Sequence, residues 1–337
     1  MHEARQYTKT ENEAVTCSLC NHRCIIKEGK HGICGVRINE KGILYAGTYG
    51  KISAEAVDPI EKKPLFHYLP GTTSYSLGSV GCNFHCQHCQ NWHISRTILN
   101  DAMLRDLSPE EGVTRALAGG SRSISWTYNE PTIWHEYTLG MGTLARKKGL
   151  GTIYVTNGYI TEEALRELAP MLGAYRVDLK AFTDDFYKKI CGARLQPVLD
   201  SATLARELGM HVETVTLVIP GLNDSMEEQE QLIRWVIEHL GPETPMHFSA
   251  FHPDYKMTDR GGTPVATLEK IYRKAKELGL RFPYLGNVYH HEYENTYCPA
   301  CNAVLIERQG FASRFRELDG TQCRNCGEQI EIVRDVT

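Results

Sequence analysis

Three cysteines in one short stretch, Cys82-Asn-Phe-His-Cys86-Gln-His-Cys89, constrain this chain more than any other feature. They follow a β-branched and aromatic run over 73–80 that reads as a strand, with Gly81 as the break. Three thiolates spaced C-x3-C-x2-C on one loop can hold three corners of a [4Fe-4S] cube, because such clusters are ligated by cysteine. A tetrahedral zinc asks for a fourth ligand, and no second pair at zinc spacing follows. His85 and His88 are the nearest rivals for that place. Three ligands leave one iron open, and an open iron is where chemistry can occur.

The other cysteines fall into two more sets. Cys17, Cys20, Cys24 and Cys34 supply four thiolates near the start, among glycines that permit tight turns. They suit either a structural zinc knuckle or a second iron–sulfur cluster. Cys298, Cys301, Cys323 and Cys326 form C-x2-C-x21-C-x2-C, a zinc-ribbon spacing for which rubredoxin-type iron is the main alternative. Cys191 stands alone and reads as a small packed residue. Short C-x2-C pairs without an apolar leader point to metal ligands rather than disulfides, and so to a reducing, cytoplasmic setting. No apolar run reaches bilayer length. The net charge of −4 gives no general attraction to nucleic acid. Residues 291–337 carry eight acidic and five basic side chains, a poor phosphate-binding surface.

From residue 73 onward apolar strand candidates alternate with helical segments. The strands are expected at 73–80, 123–128, 151–156, 175–181, 211–219, 246–251 and 281–288. Ser108-Pro109-Glu110-Glu111 and Ser225-Met226-Glu227-Glu228 read as capping boxes opening two of the helices. This alternation predicts an α/β fold with a parallel sheet covered by helices, a partial or complete barrel of six or seven βα units. The competing doubly wound sheet lacks a glycine-rich fingerprint after its first strand. The expected organisation is an N-terminal Cys-rich metal-binding segment over 1–70, the barrel over 71–290, and a zinc-ribbon-like module over 291–337. In a barrel, chemistry gathers at the C-terminal ends of the strands, where the 82–89 loop falls.

A cysteine triplet placed after the first strand of such a chain resembles the signature of the radical S-adenosylmethionine (radical SAM) superfamily. Over about 71–290 the chain is similar to enzymes of the pyruvate formate-lyase activating type. A longer set of motifs resembles the AmmeMemoRadiSam radical SAM family: CSLCNHRC, DPIEKKPLFHYLPG, GCNFHCQHCQNW, YNEPT, VDLKAF, FHPDYK and NTYCPAC, from Cys17 to about Cys326. The resemblance implies a [4Fe-4S] cluster and SAM as cofactors. It implies reductive cleavage of SAM to a 5′-deoxyadenosyl radical that takes hydrogen from a protein or small-molecule substrate. An electron donor such as ferredoxin or flavodoxin is implied, and Memo-like and AMMECR-type proteins are the implied partners. A glycyl-radical-enzyme activase is the alternative activity.

The same resemblance supplies SAM-contacting candidates. Asn129-Glu130-Pro131 resembles a motif that holds the methionyl amine, with Glu130 as acceptor; on local grounds alone it is also a helix N-terminal Glu favoured by the dipole. Thr156 and Asn157, then Asp178 and Lys180, match the ends of the third and fourth strands of the activases, although Val155 stands where those have an Asp. Asp178 and Lys180 are two apart on a strand and so face the same way, which also suits a plain buried ion pair. Residues 218–224 are expected to shape the adenine end, and His252 to lie near the nucleoside. His247, His290 and His291 are secondary candidates.

Overall fold

The computed structural model describes residues 1–97, 99, 104–288 and 292–336. Eight strands make its main sheet: β1 Ala54–Pro59, β2 Thr73–Gly78, β3 Ser123–Trp126, β4 Gly151–Thr156, β5 Ala174–Asp178, β6 His211–Val218, β7 Met246–Ala250 and β8 Pro283–Gly286. Each is bonded to its neighbours in chain order. All pairs from β2 to β8 are parallel, whereas β1 runs antiparallel along β2. A doubly wound sheet reverses its strand order, and this one does not. With β1 and β8 at opposite edges, the sheet is a partial barrel.

Among the described residues, a helix of seven or more residues follows each parallel strand up to β7: α1 Pro109–Ala118, α2 His135–Lys147, α3 Glu162–Leu168, α4 Gln196–Glu207, α5 Met226–His239 and α6 Val265–Glu277. Ser108 and Ser225 cap α1 and α5, accepting from Glu111 N at 3.1 Å and Glu228 N at 3.3 Å, as their sequence boxes predict. Before α2 comes a 3₁₀ turn, Pro131–Trp134, whose first turn is capped by the Glu130 side chain accepting from Thr132 N at 2.9 Å. Trp126, Tyr154 and Tyr175 are fully buried within the largest hydrophobic cluster, and the Trp126 and Tyr154 rings meet edge-on at 5.8 Å.

The N-terminal segment adds two small antiparallel sheets, Tyr7–Lys9 with Val15–Cys17 and Ile25–Ile26, and His2–Glu3 with Ile43–Ala46 and Arg37–Glu40. At the other end Thr296–Tyr297, Val304–Gln309 and Ala312–Phe315 pair antiparallel. Beside them the four sulfurs of Cys298, Cys301, Cys323 and Cys326 lie within 4.8 Å of one another, with Cys298–Cys326 at 3.6 Å and Cys301–Cys323 at 3.7 Å. Four thiolates on one zinc at ~2.3 Å stand roughly 3.8 Å apart, so this group has the spacing of a single-ion S4 site. No helix among the described residues is long and apolar enough to cross a membrane.

A strap, residues 58–71, runs between these parts. Phe66 N and His67 N donate to the buried Glu213 carboxylate on β6 at 2.9 and 2.7 Å. His211 and His247 flank the same carboxylate at 2.9 and 2.8 Å. Leu69 N and the His67 carbonyl pair with Val333 of the C-terminal tail at 2.7 and 2.8 Å. Arg308 stacks on the Phe66 ring at 3.9 Å and donates to the Phe66 carbonyl at 2.9 Å.

Candidate active site

The parallel register brings the ends of β2 and β3 level, Leu77 opposite Trp126, so the chain leaves both strands at one rim. Asn129 joins the two exits: its Oδ1 accepts from Ser79 N and its Nδ2 donates to Gly81 O, both at 3.0 Å. Gly81 turns the backbone at φ 84°, where a side chain would fall 2.5 Å from the Cys34 carbonyl oxygen. The cysteine loop then rests on the Tyr187–Cys191 turn, with His85 N on Cys191 O at 2.8 Å and Gln87 N on Ile190 O at 3.0 Å. Cys191 is fully buried and its thiol meets that of Cys86.

Cys82, Cys86 and Cys89 line one open cleft of about 510 Å³. Asn129, Glu130, Thr156, Asn157, Asp178 and Lys180 line it too, so six of the seven SAM-contacting candidates meet the three cysteines. His252 is the exception: it is exposed, and its Nε2 lies 2.9 Å from Nε2 of Gln90, which does line the cleft. His247 sits under the sheet on Glu213. His290 and His291 lie outside the described residues. Of the two rivals for a fourth ligand, His85 is exposed, whereas His88 is buried in the cleft wall with Nδ1 unpartnered.

Glu130 is a fixed acceptor. Its Oε1 takes Thr132 N at 2.9 Å and the Thr156 hydroxyl at 2.6 Å, while Oε2 takes only Asn157 N at 2.7 Å. It thereby ties β3 to β4 as well as capping the turn behind it. Burial pushes its carboxyl up against these donors, and a cation beside it would draw it back down. Asn157 passes the order on, donating to Asn83 Oδ1 at 2.8 Å and lying 3.8 Å from Cys82 Sγ.

On β5, Asp178 accepts from Lys180 at 2.9 Å and from Arg176. Burial alone would raise the Asp178 carboxyl, but Arg176 and Lys180 outweigh it and bring it to about 2. A hydrogen bond with Cys191, helped by Lys180, lowers the Cys86 thiol against its burial. Cys82 is driven the other way, well up, by burial and by the Glu130 carboxylate. A second charged group escaped the sequence reading. Lys63 is buried in the cleft wall, 2.6 Å from Asp58, which also takes Lys62 at 2.9 Å and the Tyr128 hydroxyl at 2.6 Å. Burial brings Lys63 down to about 8 even against Asp58.

The donor set fits a cluster. Among the described residues, only the C-terminal four-cysteine group draws three or more ligand atoms within 4.8 Å of one another, so the loop sulfurs are not gathered as ligands of one ion would be. Phe84 N donates to Cys82 Sγ at 3.3 Å, a contact that tunes ligated sulfur.

A family model described as the radical SAM superfamily matches residues 77–236. An uncharacterized protein of Methanocaldococcus jannaschii is 47% identical over 335 residues, covering 99% of this chain and 100% of its own length. The pyruvate formate-lyase-activating enzyme of Clostridium pasteurianum is 23% identical over 217 residues, 59% of this chain and 88% of that one. Among solved structures, Streptococcus suis SuiB bound to S-adenosylmethionine matches with a TM-score of 0.51 at 14% identity, covering 68% of this chain and 55% of that one. That last likeness is one of fold.

Proposed function

Because the chain belongs to the radical SAM superfamily, we propose that it is an enzyme in which Cys82, Cys86 and Cys89 hold a [4Fe-4S] cluster and the adjoining strand ends hold SAM. The observation that carries this is the meeting of those three sulfurs with Asn129, Glu130, Thr156, Asn157, Asp178 and Lys180 around one cleft at the carboxyl ends of parallel strands. Bound together, cluster and SAM supply a one-electron cleavage that yields a 5′-deoxyadenosyl radical able to take hydrogen from a substrate. The chain's own residues do the positioning. Glu130 keeps acceptor capacity on Oε2 for an ammonium, and Thr156 and Asn157 fix its rotamer. Asp178, held ionised by Arg176 and Lys180, is an acceptor for hydroxyl groups. Lys180 places positive charge beside the Cys86 sulfur.

The test is anaerobic reconstitution with iron and sulfide, then reduction with SAM present, scoring 5′-deoxyadenosine. The wild type is expected to form it and Cys86→Ala to form none; undiminished product from that variant would move the site elsewhere.

Hydrogen abstraction from a protein or a small molecule follows from that chemistry. The likeness to the Clostridium pasteurianum enzyme over 217 residues supports a second reading, activation of a glycyl-radical enzyme. A doublet in electron paramagnetic resonance on co-incubation with a glycyl-radical protein would select it, and silence across candidates would reject it.

A further inference from the structure

We propose that Cys17, Cys20, Cys24 and Cys34 bind a second iron–sulfur cluster, and not a zinc ion, directly behind the active-site loop. All four cysteines line a single small cavity. Leu19, Ile26, Ile33 and Ile133 form the apolar part of its remaining wall, with Gly32 and the polar residues His22, Arg37 and Asn83 completing it.

Spacing separates the two metals. Four thiolates on one zinc must crowd to roughly 3.8 Å. The C-terminal group does so, at 3.6 and 3.7 Å. The N-terminal set does not: no three of its sulfurs fall within 4.8 Å of one another, although all four face the same space. A cube takes each cysteine on a different iron, so its ligands encircle a volume instead of converging on a point.

Arg37 adds an independent observation. It lines this cavity and is 2% exposed, and its outer nitrogens are spent on Glu136, both at 3.0 Å, and on the Arg5 carbonyl. Its Nε is buried with no partner. An N–H left unpaired at that depth costs free energy unless something in the cavity accepts from it, and the sulfur of a ligated cluster is such an acceptor.

The cavity also abuts the loop of the first site. His22 Nε2 lies 2.7 Å from the Asn83 carbonyl oxygen, Asn83 lines the cavity, and its Oδ1 is 4.0 Å from Cys82 Sγ. One residue therefore separates the two sets of sulfurs.

The test begins with the full chain carrying Cys82→Ala, Cys86→Ala and Cys89→Ala together, reconstituted anaerobically with iron and sulfide. About four iron and four sulfide per chain are expected to remain, with a reducible paramagnetic signal, and adding Cys20→Ala and Cys24→Ala should abolish both. This readout needs no SAM cleavage, so it stands even where the proposed activity fails. Two zinc ions per chain with no residual iron would overturn the proposal. Should the triple variant not fold, the wild type decides: about eight iron with one zinc supports the second cluster, and about four iron with two zinc overturns it.

Discussion

Arg37 and Glu136 form a bidentate ion pair with both side chains almost entirely out of water, at 2% and 1% exposure. Removing one partner from such a pair strands the other's charge, which typically costs about 3–5 kcal/mol. Arg37→Met is expected to lose that much in urea unfolding, and Arg37→Met with Glu136→Leu to recover most of it; equal losses in both would mean that the charge is not what matters. Such pairs are hard to foresee, because Arg37 and Glu136 are 99 positions apart. Closer pairs were legible. Two-residue alternation places Asp178, the last residue of β5, and Lys180, just beyond it, on one side, and the same step taken backward reaches Arg176, which binds both Asp178 and the Lys63 carbonyl. Asp58 and Lys63 lie in the quoted segment 58–71, but nothing local tells that the strap carries them to the cleft wall.

Among the elements, the loop after β2 depends most on fit. At Gly81 the backbone is left-handed, and an added methyl group would meet the Cys34 carbonyl oxygen at 2.5 Å and Val36 Cγ1 at 2.8 Å. The conformational term alone costs about 1–2 kcal/mol, and displacing a backbone carbonyl adds to it. Gly81→Ala should therefore lower both the melting temperature and the iron bound after reconstitution; unchanged iron would show that the loop and the N-terminal segment move apart freely. The strand–helix order and the two capping boxes could be read from the chain because apolar periodicity and caps are local signals. The exposed position of His252 could not, since the loop after β7 is shaped by the partners it meets and Gln90 belongs to a distant loop.

For the molecule as a whole, His67 works as a rivet. Its Nδ1 faces the Glu331 carbonyl at 2.9 Å and so carries the proton, leaving Nε2 to accept from the Tyr284 hydroxyl at 2.7 Å. Burial brings it down to about 4, while the unfolded chain titrates near ~6.5. Between those values the unfolded state holds the extra proton, so stability falls on acidification. From pH 7 to pH 5 this one residue should cost about 2 kcal/mol, and His67→Gln should flatten the slope by that amount in denaturation at the two pH values. Cys301→Ala, which opens the C-terminal S4 group, is expected to reduce the midpoint of thermal unfolding and to release metal while leaving the iron of the 82–89 loop in place, by metal analysis.

The strap also joins two distant parts of the molecule. Lys63 forms part of the cleft wall, and Phe66, three residues on, lies under Arg308 of the C-terminal module that carries the four-cysteine group. A ligand that grips Lys63 more firmly when the four-cysteine group holds an ion must, by reciprocity, raise that group's affinity for the ion by the same factor. Occupancy at one end and affinity at the other are then a single measurable coupling, obtainable by titrating either ligand against a saturating amount of its counterpart.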